Sequence, residues 1–251
     1  MKYLRNLNNH NDYTTFIIGA DFDEIQIEKK AVVSYCKSEK HVHYNPYIPT
    51  FFCKLTLEDG SIIEIEGSGE LTYDMIYNYS SALSAEIGTL CTSIGKNAFY
   101  EFWQLTSVII PDSVTSIGES AFYLCDVLTS VTIPNTVTSI GDYAFSNCKI
   151  LTSIVIPDSV TSIGTGAFIS CEVLTSVTIG NGVTSIGERA FMGCDVLTSV
   201  TINATTPPVL GEDAFNNNSS ERIIYVPSAS VEAYKSAAGW SVYTDSIQAI
   251  Q

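Results

Sequence analysis

Leu128-Thr129-Ser130-Val131-Thr132-Ile133-Pro134-Asn135-Thr136-Val137-Thr138-Ser139-Ile140-Gly141 is one turn of a pattern that recurs every 23 residues. Its opening, Leu-Thr-Ser-apolar, stands also at Leu105, Leu151, Leu174 and Leu197. Its close, apolar-Thr-Ser-Ile-Gly, ends at Gly118, Gly141, Gly164 and Gly187. Ala-Phe follows (Ala121-Phe122, Ala144-Phe145, Ala167-Phe168, Ala190-Phe191), then a cysteine (Cys125, Cys148, Cys171, Cys194). Self-similarity at this period specifies a solenoid, because one unit cannot bury its apolar side chains alone and stacked units can.

Each unit predicts its own shape. Leu-Thr-Ser-Val-Thr-Ile is β-branched and alternates with period two, so Val131 and Ile133 point inward while Ser130 and Thr132 point outward. Stacking makes these runs a parallel sheet with a spacing of about 4.8 Å. Pro134, lacking an N–H, stops the strand. Val137 and Ile140 point inward from a second extended segment. Gly141 is expected to supply a positive φ at a corner. Asp142 to Cys148 is expected to form one or two helical turns that pack Ala144, Phe145 and Cys148 under the sheet.

These landmarks resemble the BspA-like class of bacterial leucine-rich repeats over about residues 82 to 215. The buried asparagine usual after the strand is absent; Ser113, Thr136, Ser159 and Gly182 stand near its place. Val226-Pro227, Ser230-Val231-Glu232-Ala233-Tyr234-Lys235 and Gly239-Trp240 resemble the C-terminal cap of such proteins. The resemblance implies a leucine-rich-repeat solenoid, β-rich, with a parallel sheet and short helical turns. It also implies a cell-surface or secreted binding protein, with matrix proteins, other cells or glycans as partners.

Three segments are expected: a non-repeat module at 1–70, the solenoid at 71–221 and a strand-helix cap at 222–251. The module reads as a small α+β unit containing a hairpin. Asp12 to Ile18 suits a helix; Ala31–Cys36 and His41–Tyr44 suit strands. Phe51 to Leu57 faces Ser61 to Glu66 across the turn Glu58-Asp59-Gly60. This region is placed to cover part of the solenoid's open first edge. A short likeness, Val33–Cys36 through His43–Pro46, resembles modules in proteins of gut-type anaerobes and their phages. At the other end, Ser228 to Ala238 reads as a helix started by Ser228 or Ser230 and ended by Gly239. Trp240, Tyr243 and Ile247 would cover the last coil.

Composition narrows the partners. The net charge is −15, and 16% of the residues are charged. Residues 71–251 hold 5 basic and 16 acidic side chains, against 7 and 11 in residues 1–70. A surface so acidic repels phosphate backbones and anionic membranes, so no nucleic-acid partner is expected. No segment has the ~20 apolar residues that span a bilayer, so no membrane insertion is expected. The longest N-terminal apolar run, Phe16 to Ala20, is too short for a signal peptide, which leaves cytoplasmic and virion locations open beside the surface one. The 7 cysteines are odd in number and mostly in one repeat position, which indicates reduced, structural thiols.

Catalytic signals are absent. No Gly-x-Ser-x-Gly occupies a strand–turn–helix setting, the repeat cysteines have no histidine near them, and no glycine-rich loop precedes a lysine. His41 and His43, at i, i+2 with Cys36 and Glu39 nearby, lack the second cluster a metal site needs; no metal or cofactor is expected. Asp112 and Asp158 in the turns are diluted by Asn135 and Asn181, a weak calcium pattern. A binding face remains. Ser107, Ser130, Ser153, Ser176 and Ser199 make one outward column, and Ile109, Val155, Thr132, Thr178 and Thr201 make the next. They offer a flat uncharged surface to a protein or glycan, or simply keep an exposed sheet soluble. Coils this alike disfavour a single specific site on the repeats. A second candidate is the N-terminal aromatic patch Tyr44, Tyr47, Phe51 and Phe52, with assembly or oligomerisation through that module.

Overall fold

The computed structural model describes residues 52–251 and, before them, the strands Lys2–Leu4, Phe16–Ile18, Ala31–Cys36 and His41–Pro46. Contacts divide the chain into two units, Met1–Thr50 and Phe51–Gln251. In the first, Lys2–Leu4 pairs antiparallel with Phe16–Ile18, and Ala31–Cys36 pairs antiparallel with His41–Pro46. Phe16–Ile18 is thus a strand, not the end of a helix, as its aromatic and β-branched residues favour. The rest of the helix expected from Asp12 lies outside the described residues.

In the second unit every coil gives one strand to each of two sheets. The first sheet takes the Leu-Thr-Ser-Val-Thr-Ile runs, such as Ser107–Ile109, Ser130–Val131, Ser153–Ile156, Ser176–Ile179 and Ser199–Ile202. The second has 7 strands, from Gly69–Leu71 through Ser116–Ile117 and Ser139–Ile140 to Val209–Leu210. Register follows the sequence period: Ser107 lies beside Ser130, Ser139 beside Ser162, Ser176 beside Ser199. Val131, Ile133, Val137 and Ile140 are buried, and Ser130 and Thr132 are exposed, as the alternation requires.

The Ala-Phe segment forms no helix. Tyr143 and Asn147 have φ of 55° and 59°, in the left-handed region, as do their counterparts in other coils. The N–H groups of Tyr143, Phe145 and Asn147 donate forward to the next coil, to the carbonyls of Thr165, Ala167 and Ile169. Those of Ala144, Ser146 and Cys148 donate back to Gly141, Tyr143 and Phe145 within the coil. A helix would satisfy all of them internally; the stack needs half of them between coils. The phenylalanines consequently stack from Phe99 to Phe215 with centroids 5.0–5.3 Å apart and rings within 6° of parallel.

Gly141 is not among the residues of positive φ. Its constraint is contact: a Cβ there would sit 2.6 Å from the Glu119 nitrogen and the Gly118 carbonyl carbon. Gly164, one coil on, is as tight, at 2.5 Å from the Asp142 nitrogen. The glycine column sets how closely the coils approach.

Side chains finish the coil-to-coil bonding. The hydroxyls of Thr115, Thr138, Thr161 and Thr184 each donate to the carbonyl 23 residues earlier. Ser113, Thr136 and Ser159 donate to carbonyls 22 residues earlier, so hydroxyls form a ladder near the place of the missing asparagine. The thiols of Cys125, Cys148, Cys171 and Cys194 donate to carbonyls 26 residues earlier, at 3.3–3.4 Å. In the last coil Asn218 takes over and donates to the Phe191 carbonyl at 2.8 Å. Cysteine recurs because the position needs something small, buried and able to donate.

Both ends of the stack are closed. The hairpin Cys53–Thr56 and Ile62–Ile65 pairs antiparallel with the first-sheet strand Ser84–Ile87. Cys53, Leu55 and Phe52 join the core. The boundary drawn after residue 70 therefore falls inside the solenoid unit, which contacts begin at Phe51. At the far end Ile223–Val226 and Ile247–Ala249 extend the first sheet. Between them runs the short helix Val231–Ser236, preceded by a 3-10 turn at Ser228–Ser230. Neither serine caps the helix; the Ser230 hydroxyl donates instead to the Thr205 carbonyl at 2.7 Å. The helix stops at Ser236, and Gly239, with φ of 79°, turns the chain beyond it. Trp240 is fully buried, its Nε1–H donating to the Pro208 carbonyl at 2.8 Å, and the Tyr234 hydroxyl donates to the Ala204 carbonyl.

Candidate binding face

The first sheet buries one side of each strand and leaves the other in water. Ser107, Ser130 and Ser153 are exposed, and Ser176 and Ser199 half-buried. In the adjacent column Ile109 and Val155 are each 63% exposed, Thr132 is exposed, and Thr178 and Thr201 are half-buried. Register continues this column to Glu86 and Lys54 on one side and to Tyr225 and Gln248 on the other. All ten residues that the sequence assigned to the face lie in these two columns. Two aliphatic side chains so exposed among hydroxyls make the face apolar at two points, not uniformly polar.

The face is not uniform in its backbone either. At the other joints between full coils, the Thr at the strand start donates its N–H to its equivalent one coil earlier: Thr129 to Thr106 at 3.2 Å, Thr175 to Thr152 at 2.9 Å, Thr198 to Thr175 at 3.1 Å. The hydroxyls of Thr129, Thr175 and Thr198 repeat those bonds. Between Ser130–Val131 and Ser153–Ile156 the ladder stops, and the described strands fall into two separate sheets there. Across the same joint the second sheet continues, Ser139 beside Ser162, and the Phe145 and Phe168 rings stack at 5.3 Å. Lys149 and Asp126 pair over it at 3.2 Å. The interruption is confined to the first sheet, and a groove of about 540 Å³ lies over it. The sequence reading missed it, and read the turn residues Asp112 and Asn135 that line it only as a weak calcium pattern.

Of the four residues of the N-terminal aromatic patch, the structure describes the side chain of Phe52 alone. Phe52 is fully buried, since it packs on Gly67, where a Cβ would lie 2.9 Å from the Phe52 ring. Tyr47 and Phe51 lie outside the described residues, and Tyr44 is placed only as part of the strand His41–Pro46. Register sets Cys36 opposite His41 and Ser34 opposite His43. His10 and Glu39 lie outside the described residues. Exposed aromatics stand elsewhere, Tyr73 and Tyr77 with rings 5.6 Å apart and Trp103, while the half-buried Tyr100 and Tyr123 stack at 5.1 Å.

Burial sets the chemistry of the thiols. It pushes Cys53 up to about 12 and raises Cys91, Cys125, Cys148 and Cys171. Thiols held protonated at neutral pH are poor nucleophiles and poor metal ligands. Two turn carboxylates act as brackets between coils: Asp142 accepts from the Thr165 N–H at 2.7 Å and Asp158 from the Asn181 N–H at 2.8 Å. Among the described residues no group of three His, Cys, Asp or Glu is placed to hold a metal ion, and no helix is long and apolar enough to cross a membrane.

Stacked 23-residue coils with paired parallel sheets and closed ends define a leucine-rich-repeat solenoid, a class of scaffold that generally binds proteins and carries no active site. The model of the BspA type leucine rich repeat region matches residues 92–232 in 6 copies, and the chain belongs to that family. Among solved structures it is similar to a leucine-rich repeat protein of T. pallidum, with 22% identity and a TM-score of 0.57 over 90% of this chain and 98% of that one. It is also similar to the pneumococcal vaccine antigen PcpA, with 18% identity and a TM-score of 0.51 over 76% of this chain and 45% of that one. No curated protein matches the chain.

Proposed function

We propose that this chain is a non-enzymatic adhesion module that works at a cell surface or outside the cell. The first sheet's outward columns are its docking face for a protein or glycan partner. The observation behind this reading is the pair Ile109 and Val155, each 63% exposed on a face whose other repeat positions are hydroxyls. Family membership supports a binding role, and the acidic solenoid directs it away from nucleic acids and anionic membranes.

The test is a binding screen of the full chain against matrix proteins, glycans and whole bacterial cells, run beside two variants. Thr132→Arg with Thr178→Arg blocks the first sheet; Thr138→Arg with Thr184→Arg places the same charge on the second. The reading expects binding to be lost with the first pair only. Equal retention in both would remove the docking face.

A second reading rests on the separate contact unit Met1–Thr50. Here the solenoid is a structural or host-attachment component of a larger assembly such as a phage particle, docked through the N-terminal region (residues 1–70). Self-association at low micromolar concentration that follows residues 1–70 would favour it.

A further inference from the structure

Two grooves meet on the interrupted side of the first sheet, of about 540 and 420 Å³, sharing Asn135, Val155 and Pro157. Their chemistry has one sign. Asp112 lines the first and Asp158 the second, and no Lys, Arg or His lines either. Basic side chains of the solenoid are engaged with other groups: Lys96, Lys149 and Arg189 pair with Glu119, Asp126 and Glu188, and Arg222 is held on the Phe215 carbonyl. Val155 lies in both linings and is 63% exposed. At the joint, the Thr152 N–H and the Thr129 carbonyl lack the coil-to-coil bond that their equivalents make. No aromatic ring lines either groove, so a sugar has no flat face to stack on.

Spacing adds a constraint. Asp112 and Asp158 occupy equivalent turns two coils apart, about 10 Å at the sheet spacing. An extended left-handed chain advances about 9 Å over three residues and returns to the same side. We propose that the groove across the 130/153 joint binds an extended cationic segment of a protein partner, with Lys or Arg three residues apart facing Asp112 and Asp158. The aliphatic part of the segment lies on Val155, which both grooves share. This rests on the reading of the first sheet as the docking face and names the partner chemistry for it.

The test is fluorescence anisotropy of the full chain with labelled proline-rich peptides carrying Lys-x-x-Lys, against the same peptides carrying Gln-x-x-Gln. The lysine form is expected to bind at least about tenfold tighter. Asp112→Asn with Asp158→Asn should erase that preference; asparagine keeps the oxygen that accepts from Asn181, so the turn is preserved. Glu172→Gln with Asp195→Asn removes the same charge from exposed positions outside the groove and should leave the preference intact. No preference for lysine, or equal loss in both double variants, would overturn the assignment. If the peptides fail while Thr132→Arg with Thr178→Arg still abolishes capture in the binding screen, the cationic segment falls and the docking face stands.

Discussion

The two sheets are made by the same 23-residue repeat, yet one runs unbroken over its 7 strands and the other divides at the joint between Ser130–Val131 and Ser153–Ile156. The difference lies in what holds each side. The second sheet is bracketed by the glycine column, whose Cβ positions are occupied by the neighbouring backbone, and the phenylalanine stack keeps the core on the same spacing. Neither can relax without a clash or a void. The first sheet has no such glycine column, and its backbone ladder and threonine bonds stop at one joint, over which a groove lies.

The comparison breaks most forcefully in the core. Phe145→Ala should destabilise by about 3–5 kcal/mol in denaturant unfolding, and Thr132→Ala, on the exposed side, by almost nothing. Similar small values for both would undo the inward and outward assignment. Gly164→Ala comes next, at about 2–3 kcal/mol, because its Cβ meets backbone and not a movable side chain. A neutral result there would mean the second sheet is not held by contact.

The buried thiols give a pH test. A raised folded value means that the folded chain binds protons the unfolded chain has released, so stability falls as pH rises. For Cys53 the loss begins near the thiol's ordinary value of 9.0 and runs to about 12. The urea midpoint should be flat from about pH 6 to 8 and fall above about 9. Cys53→Ala should soften that fall; a midpoint that rises instead would contradict the thiols' burial. The smallest effect separates the two joints. Thr175→Val removes a hydroxyl bond to the Thr152 carbonyl and should cost about 0.5–1 kcal/mol, whereas Thr152→Val has no such bond to lose.

The period alone made most of this legible. Inward and outward residues, the first sheet, its register and the C-terminal cover follow from alternation and from the decay of the pattern past Phe215; the second run was read only as an extended segment, and it forms a sheet of its own. The Ala-Phe segment was misread because Ala144, Phe145 and Cys148 have a helix's apolar spacing. Spacing does not say whether an N–H is used within a coil or between coils. Gly141 was assigned the wrong constraint, since sequence shows that a glycine is required but not whether conformation or contact requires it. Phe52 looked like part of a surface patch because its hairpin does not repeat, although it pairs with the strands that do. The two outward columns could be read directly. The groove could not, because the coils that flank it are nearly identical.

Amide hydrogen exchange by NMR on the full chain tests the division of the first sheet most directly. The Thr152 amide should exchange quickly while those of Thr129, Thr175 and Thr198 are protected. Equal protection at all four would show a continuous sheet and contradict the account.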